Sequence, residues 1–299
     1  MSAYELIEAE KANPGREMTV VDMVDLLGVS SSGYYDWRAR RENPGARQRR
    51  RQELTREIRE IHAASDGVYG APRIHAELRE RGWHVSRKTV AKVMRACHIQ
   101  GISPRPWVLT TTPGESPAIH PDRVGRAFDR GRLDAVWVSD ITYLHTGEGW
   151  LYLAAIRDAC SRRVLGWAIA DHLRTDLVLD AVKMAVSTRG GNPHGVILHA
   201  DRGTQYTSHE LATYATSAHI QLSVGATGVC WDNAMAESFW ATLKLEYYNR
   251  HSWPTKAAAR AGVGTWITRY NTQRRHSALG MMAPLQYELL QHSGHKKAA

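Results

Sequence analysis

Cysteine is scarce in this sequence, and long apolar runs are missing. The 299 residues include three cysteines, Cys97, Cys160 and Cys230, which lie far apart and form no CxxC pair. An odd number of scattered cysteines does not suit a disulfide framework or a paired zinc site, and it indicates a reducing cytoplasm. No apolar run approaches the roughly 18 residues of a membrane span, and the charged first residues do not resemble a secretory signal. We therefore expect a cytoplasmic protein without a membrane partner.

Positive charge is in excess, with 39 Lys and Arg against 30 Asp and Glu and a formal net charge of +9. This balance favours a polyanionic partner such as nucleic acid, although charge alone would equally suit a merely basic protein. Its distribution is more specific, because Trp37–Arg51 contains seven Arg and one Glu. That stretch is either a solvated linker or a phosphate-binding surface. We predict DNA as the partner, and hence association with the nucleoid.

Short helices are predicted at the start of the chain, in a first segment over residues 1–48 that ends in the Arg-rich linker. Met18–Leu27 has the apolar rhythm of a helix and is followed by Gly28, a typical residue after a helix end. Ser30 or Ser31 can cap a second helix. A helix, a short turn and a second helix form the outline of a helix-turn-helix.

A second helical segment, over residues 49–103, is predicted to bind DNA. Its helices are Arg49–Ala64, Ala71–Arg81 and, after a tight turn, Ser86–Cys97. The last helix has an apolar stripe of Val90, Val93 and Met94. Its basic residues lie elsewhere on the surface and are Arg87, Lys88, Lys92 and Arg95. The helix is either a solvated amphipathic helix or a DNA-reading helix, and its position after a turn in a basic chain favours DNA reading.

A proline-rich linker is predicted over residues 104–125. Five of the eleven prolines fall within Ile102–Pro121, which indicates extended chain and a domain boundary. A catalytic core over residues 126–290 and a tail over residues 291–299 complete the expected organisation.

The core alternates strands and helices. Three apolar strands joined by short turns come first, at Ala135–Leu144, Trp150–Arg157 and Arg163–Ala170. Then follow a helix, a strand, a helix, a strand and two helices, at Leu177–Ser187, Gly195–Ala200, Ser208–Ser217, Ile220–Val224, Asn233–Tyr248 and about Thr255–Tyr270. This is the element order of the ribonuclease H fold. The predicted class is α/β, a ribonuclease H-like mixed sheet flanked by helices and preceded by all-α helix-turn-helix segments.

Three carboxylates occupy positions that this order brings together. Asp140 lies in the first strand, Asp201 directly follows the fourth strand, and Glu237 lies one turn into the long helix. The spacing alone is a weak signal, but the first and fourth strands are neighbours in this fold and the helix passes over them. Hard divalent cations take oxygen ligands, and three carboxylates can hold two ions that clamp a phosphodiester. We predict a metal-dependent catalytic site at Asp140, Asp201 and Glu237.

Several segments together resemble one family. WVSDITYL, HADRGTQYTS, DNAMAESFWATLKLE and YNTQRRHSALGMMAPLQYE look like those of the OrfB transposases of bacterial insertion sequences, whose core resembles retroviral integrase. LLGVSSSGYYDWR and YGAPRIHAELRERGWHVSRKTVAKVM also resemble that family, so the likeness covers nearly the whole chain. Retroviral integrases carry a zinc-binding amino-terminal domain, and helix-turn-helix segments replace it here.

The resemblance implies an enzyme that cuts one strand at each element end and joins the exposed 3′-hydroxyl to another phosphodiester. It implies a DDE site at the three carboxylates with two Mg²⁺ ions, for which Mn²⁺ can substitute. Lys244 matches the family's basic residue seven positions after the Glu. The expected partners are the element's terminal repeats, target DNA, further copies of this chain, and OrfA, which is joined to OrfB as a frameshift fusion.

Some residues keep two interpretations. Asp158 is a further ligand or, more in keeping with its hairpin turn, an acceptor for backbone amides. His199 is a ligand or a satisfied buried histidine. Trp231 and Trp240 stack on a DNA base or pack in the core, while Asp232 and Asn233 are expected to cap the Glu237 helix.

The basic residues near the C-terminus are predicted to form a DNA-backbone surface, the alternative being a solvated face. They are Arg269, Arg274, Arg275 and His276.

Two rival functions share many of these features. A ribonuclease H-type nuclease would have the same fold and metals but would only hydrolyse. A DNA-binding regulator with an inactive core would keep the basic helices and lose a carboxylate, whereas all three carboxylates are present here.

Overall fold

The chain divides into two units, Met1–Gly101 and Ile102–Ala299, in the computed structural model. The structure describes residues 2–15, 17–103, 120–201, 203–225 and 234–297. The predicted proline-rich linker lies mostly outside these residues. Within them, no helix is long and apolar enough to cross a membrane.

The first unit begins with three short helices around a small core. They are α1 (Ala3–Lys11), α2 (Val20–Leu26) and α3 (Ser31–Glu42). Gly28 adopts a left-handed φ of +63° after α2, a conformation that costs glycine little. Ser30 caps α3, its Oγ accepting a hydrogen bond from the Gly33 amide at 3.2 Å. The predicted helix, glycine turn and capped second helix are confirmed.

The Arg-rich stretch differs from the prediction. Helix α3 continues to Glu42 and the next helix starts at Ala46, so only Asn43–Gly45 connects them. Arginine, alanine and glutamine are good helix formers, and a high density of charge does not prevent helix formation when the side chains reach solvent. Most of the predicted linker is therefore helix.

Three further helices complete the first unit, namely α4 (Ala46–Ala64), α5 (Ala71–Glu80) and α6 (Arg87–Ala96). Helix α6 is capped by Ser86, whose Oγ accepts from the Thr89 amide at 3.1 Å. Its buried residues are Val90, Val93 and Met94, as the sequence predicted. The basic side chains of α6 therefore lie on its solvent-exposed side.

The second unit contains one five-stranded mixed sheet in the order β3-β2-β1-β4-β5. The strands are β1 (Val136–Thr146), β2 (Gly149–Asp158), β3 (Val164–Ala170), β4 (Ile197–Ala200) and β5 (Gln221–Val224). The first three strands form an antiparallel meander, while β4 and β5 run parallel to β1. The central β1 beside β4 is the arrangement expected for a ribonuclease H-like sheet, and the predicted fold is confirmed.

Helices cover both faces of this sheet. They are α7 (Thr175–Thr188), α8 (His209–Ser217), α9 (Ala234–Glu246), α10 (Lys256–Thr272) and α11 (Pro284–Lys297). Helices α7 and α8 share a core with Trp137 and Ile156. Helices α9 and α10 share a second core with Leu144 and Leu153. Because side chains alternate along a strand, β1 contributes to both cores.

A buried carboxylate fixes α11 to the sheet. Glu288 is only 2% exposed, and it accepts hydrogen bonds from both terminal nitrogens of Arg189 at 2.7 and 2.9 Å. Arg163 Nη1 donates to the same carboxylate at 2.6 Å, as does Ser161 Oγ at 2.7 Å. One glutamate thus joins α11 to the end of α7 and to the β2–β3 turn.

Glu288→Gln is expected to lower the free energy of unfolding by about 3 kcal/mol, because Arg163 loses its carboxylate partner and Arg189 loses one of its carboxylate partners while keeping Asp134. Urea denaturation followed by circular dichroism measures the change. Glu210→Gln, on the exposed side of α8, is the matched control and should cost less than about 0.5 kcal/mol. Equal midpoints for Glu288→Gln and the wild type would contradict this role.

The same variant tests the pH dependence. Burial raises the pKa of Glu288, but the hydrogen bonds and charge of Arg189 outweigh it and bring the pKa to about 2, below the ordinary value of 4.5. The contribution of Glu288 to stability should therefore be complete above about pH 4.5 and be lost as the pH falls toward 2. The stability gap between wild type and Glu288→Gln should narrow over this interval.

Candidate active site

Asp140 lies on the central strand β1 and is half-buried. Its Oδ2 accepts a hydrogen bond from the indole Nε1 of Trp240 at 3.0 Å, and its Oδ1 accepts from the Ile141 amide at 2.8 Å. Trp240 belongs to α9, so this contact joins the helix to the strand. The Asp140 carboxylate is therefore on the face of the sheet that α9 covers.

Asp201 directly follows β4 and is exposed. Val138 of β1 pairs with His199 of the parallel strand β4. Asp140 and Asp201 each come two residues after these partners, so Asp201, just past the end of β4, follows the paired segment at the same distance as Asp140 on β1. The Asp201 Oδ1 accepts from the Gly203 amide at 3.0 Å.

Tyr206 is a buried residue that the sequence analysis missed. Its hydroxyl lies 2.7 Å from Ser139 Oγ. Burial raises the pKa of Tyr206 well above its ordinary value, and the negative charges of Asp140 and Asp201 raise it further. The buried phenol therefore stays protonated. The segment HADRGTQYTS offered a signal, since its tyrosine closely follows Asp201, but which partner it meets depends on the fold.

Helix α9 presents one face to β1. Glu237 lies in its first turn and is half-buried, while Trp240 and Lys244 follow three and seven residues later. Residues at these spacings share one side of a helix. Because Trp240 contacts Asp140, this side is turned toward the strand, and Glu237 is on it. Asp232 and Asn233, predicted to cap the helix, lie outside the described residues, as does Trp231.

Lys244 is half-buried on the same side of α9. Burial lowers the pKa of its ammonium group, and the negative charge of Asp140 opposes that shift.

Arg157 on β2 supports the start of α9, and the sequence analysis missed it too. It is 6% exposed, its Nη1 donates to the Met235 carbonyl at 3.1 Å, and its guanidinium lies 4.7 Å from the centre of the Phe239 ring. Burial lowers the pKa of Arg157. The buried guanidinium group of Arg157 thus holds the first turn of α9, which carries Glu237.

Comparisons with known proteins agree with this architecture. Two family models described as integrase core domain match residues 132–230 and 218–284. A model described as an HTH-like domain matches residues 49–107.

Similar proteins extend over nearly the whole chain. Transposase InsF for insertion sequence IS3A of Escherichia coli (strain K12) is 34% identical over 286 residues, which cover 95% of this chain and 98% of InsF. This chain belongs to the transposase family of bacterial insertion sequences. An insertion element IS600 uncharacterized 31 kDa protein of Shigella sonnei is 32% identical over 266 residues, or 89% of this chain and 97% of that protein.

Solved structures similar to the transposase include viral integrases. The HTLV-2 integrase catalytic core domain in complex with magnesium (trimeric form) is 16% identical to this chain, with a TM-score of 0.41. The matched region covers 57% of this chain and 99% of the integrase chain. The simian T-cell lymphotropic virus intasome in complex with PP2A regulatory subunit B56 gamma has a TM-score of 0.43 and 14% identity, with 77% of this chain and 73% of that chain covered.

The three predicted metal ligands are arranged around one region of the transposase sheet but are not closed into a cluster. Among the described residues, no group of three or more His, Cys, Asp or Glu side chains is placed to hold a metal ion.

Two ambiguous residues have structural roles. Asp158 is fully buried, and its carboxylate accepts from the amides of Cys160, Ser161 and Asp134 at 2.9, 2.7 and 2.7 Å. The prediction that it bonds backbone amides is confirmed. His199 is 2% exposed with its Nδ1 2.9 Å from Ser223 Oγ, so the prediction of a satisfied buried histidine is also confirmed.

The predicted DNA-contacting residues fall into two groups. On α6, all four basic side chains are exposed: Arg87, Lys88, Lys92 and Arg95. Near the C-terminus, Arg275 is 6% exposed and donates to the Met281 carbonyl at 2.9 Å. Arg274 makes two hydrogen bonds of 2.6 Å to Glu246.

The prediction that Arg274 and Arg275 form an exposed DNA-backbone surface is therefore wrong. A guanidinium group that is planar and offers several donors fits a carboxylate and backbone carbonyls well, so both residues satisfy partners inside the protein. Both residues serve the fold, and we do not propose them as DNA contacts.

Proposed function

We propose that this transposase binds the ends of its insertion sequence and cuts and joins DNA with divalent metal ions held by Asp140, Asp201 and Glu237. One observation carries the proposal. The hydrogen bond of 3.0 Å from Trp240 to Asp140 turns the Glu237 side of α9 toward the strand that bears Asp140. Asp201 directly follows β4, which pairs with β1, so the elements that carry the three carboxylates are neighbours.

The donor set suits Mg²⁺. Carboxylate oxygens are the ligands that hard divalent cations prefer, and Mn²⁺ accepts the same ligands. When bound, two such ions would activate the attacking oxygen of a phosphodiester exchange and stabilise the leaving oxygen. The chain itself orients Asp140 through the Trp240 and Ile141 N–H groups.

Lys244 and α6 supply the proposed DNA contacts. The Lys244 ammonium lies on the Glu237 side of α9, where it can pair with a phosphate near the reacting end. The α6 residues Arg87, Lys88, Lys92 and Arg95 are exposed and can read the terminal repeats or contact their backbone. We also propose that the chain works as several copies on DNA, as the OrfB part of an OrfA–OrfB frameshift fusion, which is the arrangement that the family resemblance implies.

Asp140→Asn, Asp201→Asn and Glu237→Gln should each abolish DNA cleavage and leave DNA binding nearly unchanged, because the carboxylates hold ions rather than DNA. Cleavage of labelled element ends with Mg²⁺ or Mn²⁺, and gel-shift affinity with Ca²⁺, measure the two properties. Joining of a pre-cleaved end to target DNA separates a transposase from a nuclease that only hydrolyses.

The matched controls are Asp180→Asn on the exposed side of α7 and Glu210→Gln on α8, which make the same chemical changes outside the site. Both should cleave and join at wild-type rates. Substantial cleavage by any of the three site variants would overturn the assignment of that carboxylate.

Lys244→Ala should lower end-specific cleavage and joining by about 10–100-fold, since a hydrogen bond to a charged group contributes about 1.5–3 kcal/mol. Lys244→Arg should keep part of the activity because the charge is preserved. The melting temperature should stay close to that of Lys183→Ala, an exposed lysine control on α7. Joining at the wild-type rate by Lys244→Ala would show that this lysine does not bind the reacting DNA.

Arg87→Ala combined with Lys88→Ala should weaken binding to the terminal repeats. A lost base contact costs about 1–3 kcal/mol for the cognate sequence only, whereas lost phosphate contacts weaken all sequences and reduce the salt dependence of binding. Titrations at several salt concentrations with cognate and scrambled DNA distinguish the two cases. Arg260→Ala on the exposed side of α10 is the control, and a double variant indistinguishable from it would exclude α6 from DNA binding.

A further inference from the structure

We propose that Trp240 is a positioning residue whose indole N–H fixes the orientation of the Asp140 carboxylate for metal binding. The inference rests on the proposed function, because Asp140 is a metal ligand only there. Trp240 then has two roles: it packs in the buried core, and it orients a metal ligand through its N–H group.

The hydrogen bond has the geometry of a strong contact. Trp240 is 7% exposed, and its Nε1 lies 3.0 Å from Asp140 Oδ2. An indole N–H can only donate, and a bond to an ionised carboxylate is stronger than one between neutral groups. Phenylalanine would fill much of the same space but could not make this bond.

Packing fixes the direction from which the indole donates. The Trp240 ring lies 4.8 Å from the Phe239 ring, centre to centre, within the buried cluster that also contains Leu243 and Trp266. A tryptophan side chain has two rotatable bonds, so a ring packed in a buried cluster presents its N–H in one direction. Oδ1 of Asp140 accepts from the Ile141 amide, so both oxygens of the carboxylate are oriented by donors.

The same hydrogen bond also affects Glu237 and Lys244, the other residues on this side of α9. Trp240 lies between Glu237 and Lys244 along one side of the helix. A fixed contact at Trp240 therefore sets how closely both residues approach β1. Arg157 holds the first turn of α9 independently, through the Met235 carbonyl, so loss of the Trp240 bond should loosen Asp140 without releasing the helix.

The test compares two tryptophans of one cluster in the full-length chain. Trp240→Phe and Trp266→Phe remove the same atoms from equally buried side chains, each 7% exposed, but only the first removes the bond to Asp140. The readouts are Mn²⁺ affinity from electron paramagnetic resonance titration and the melting temperature without metal. Asp140→Asn serves as the reference for loss of the ligand itself.

We expect Trp240→Phe to weaken Mn²⁺ binding by about 10–100-fold, the usual effect of removing a partner that orients a metal ligand. Trp266→Phe should stay within about twofold of the wild type, although both variants lose comparable thermal stability. Replacement of Trp240 by 3-benzothienylalanine, which keeps the ring shape and puts sulfur in place of the N–H, should weaken Mn²⁺ binding as Trp240→Phe does. This analogue covers the case in which the phenylalanine variant folds poorly.

The outcomes separate the inference from the function on which it rests. If Asp140→Asn weakens Mn²⁺ binding while Trp240→Phe and the benzothienyl analogue bind like Trp266→Phe, the positioning role is overturned and the metal site stands. If Asp140→Asn binds Mn²⁺ as tightly as the wild type, the proposed metal site fails, and the role of Trp240 fails with it.

Discussion

The second unit is organised by strand β1, which is hydrogen-bonded along both edges, to β2 on one side and β4 on the other. The backbone of a strand held in this way is fixed, so the covering helices must fit its side chains. Asp140 is the one acidic residue of the strand and lies on the face that α9 covers. The indole N–H of Trp240 donates to this carboxylate and so joins α9 to the strand.

Buried charge serves the fold in several places. Arg157 holds the first turn of α9, and Glu288 joins α11 to α7 and the β2–β3 turn. Arg274 pairs with Glu246, at the end of α9. Each of these groups makes hydrogen bonds inside the protein, which offset part of the cost of removing a charge from water. Positive charge therefore has two uses in this chain, and only the exposed part of it is available to DNA.

The two uses cannot be separated by counting arginines. On α6 the apolar stripe at helical spacing marks the buried side, so the sequence correctly predicts that the basic residues face solvent. The segment around Arg274 and Arg275 has no such stripe, and its positive charge predicted a DNA surface that the structure does not have. Glu246, the partner of Arg274, is 28 residues away in the chain, and no local pattern connects the two. Charge was misleading in the Arg-rich stretch too. Its many arginines indicated a linker, whereas most of the stretch forms helix.

The sequence by itself determined the order of strands and helices, the caps at Ser30 and Ser86, and the positions of Asp140, Asp201 and Glu237 on their elements. These features depend on periodicity and on residues a few positions apart, which the chain encodes locally. The tertiary structure alone decided which groups meet across long separations. Trp240 donates to a carboxylate 100 residues away, Tyr206 bonds a serine 67 residues away, and Arg189 meets a glutamate 99 residues away. Such pairs depend on strand register and helix packing, because a side chain's partner is set by the surface that folding brings against it.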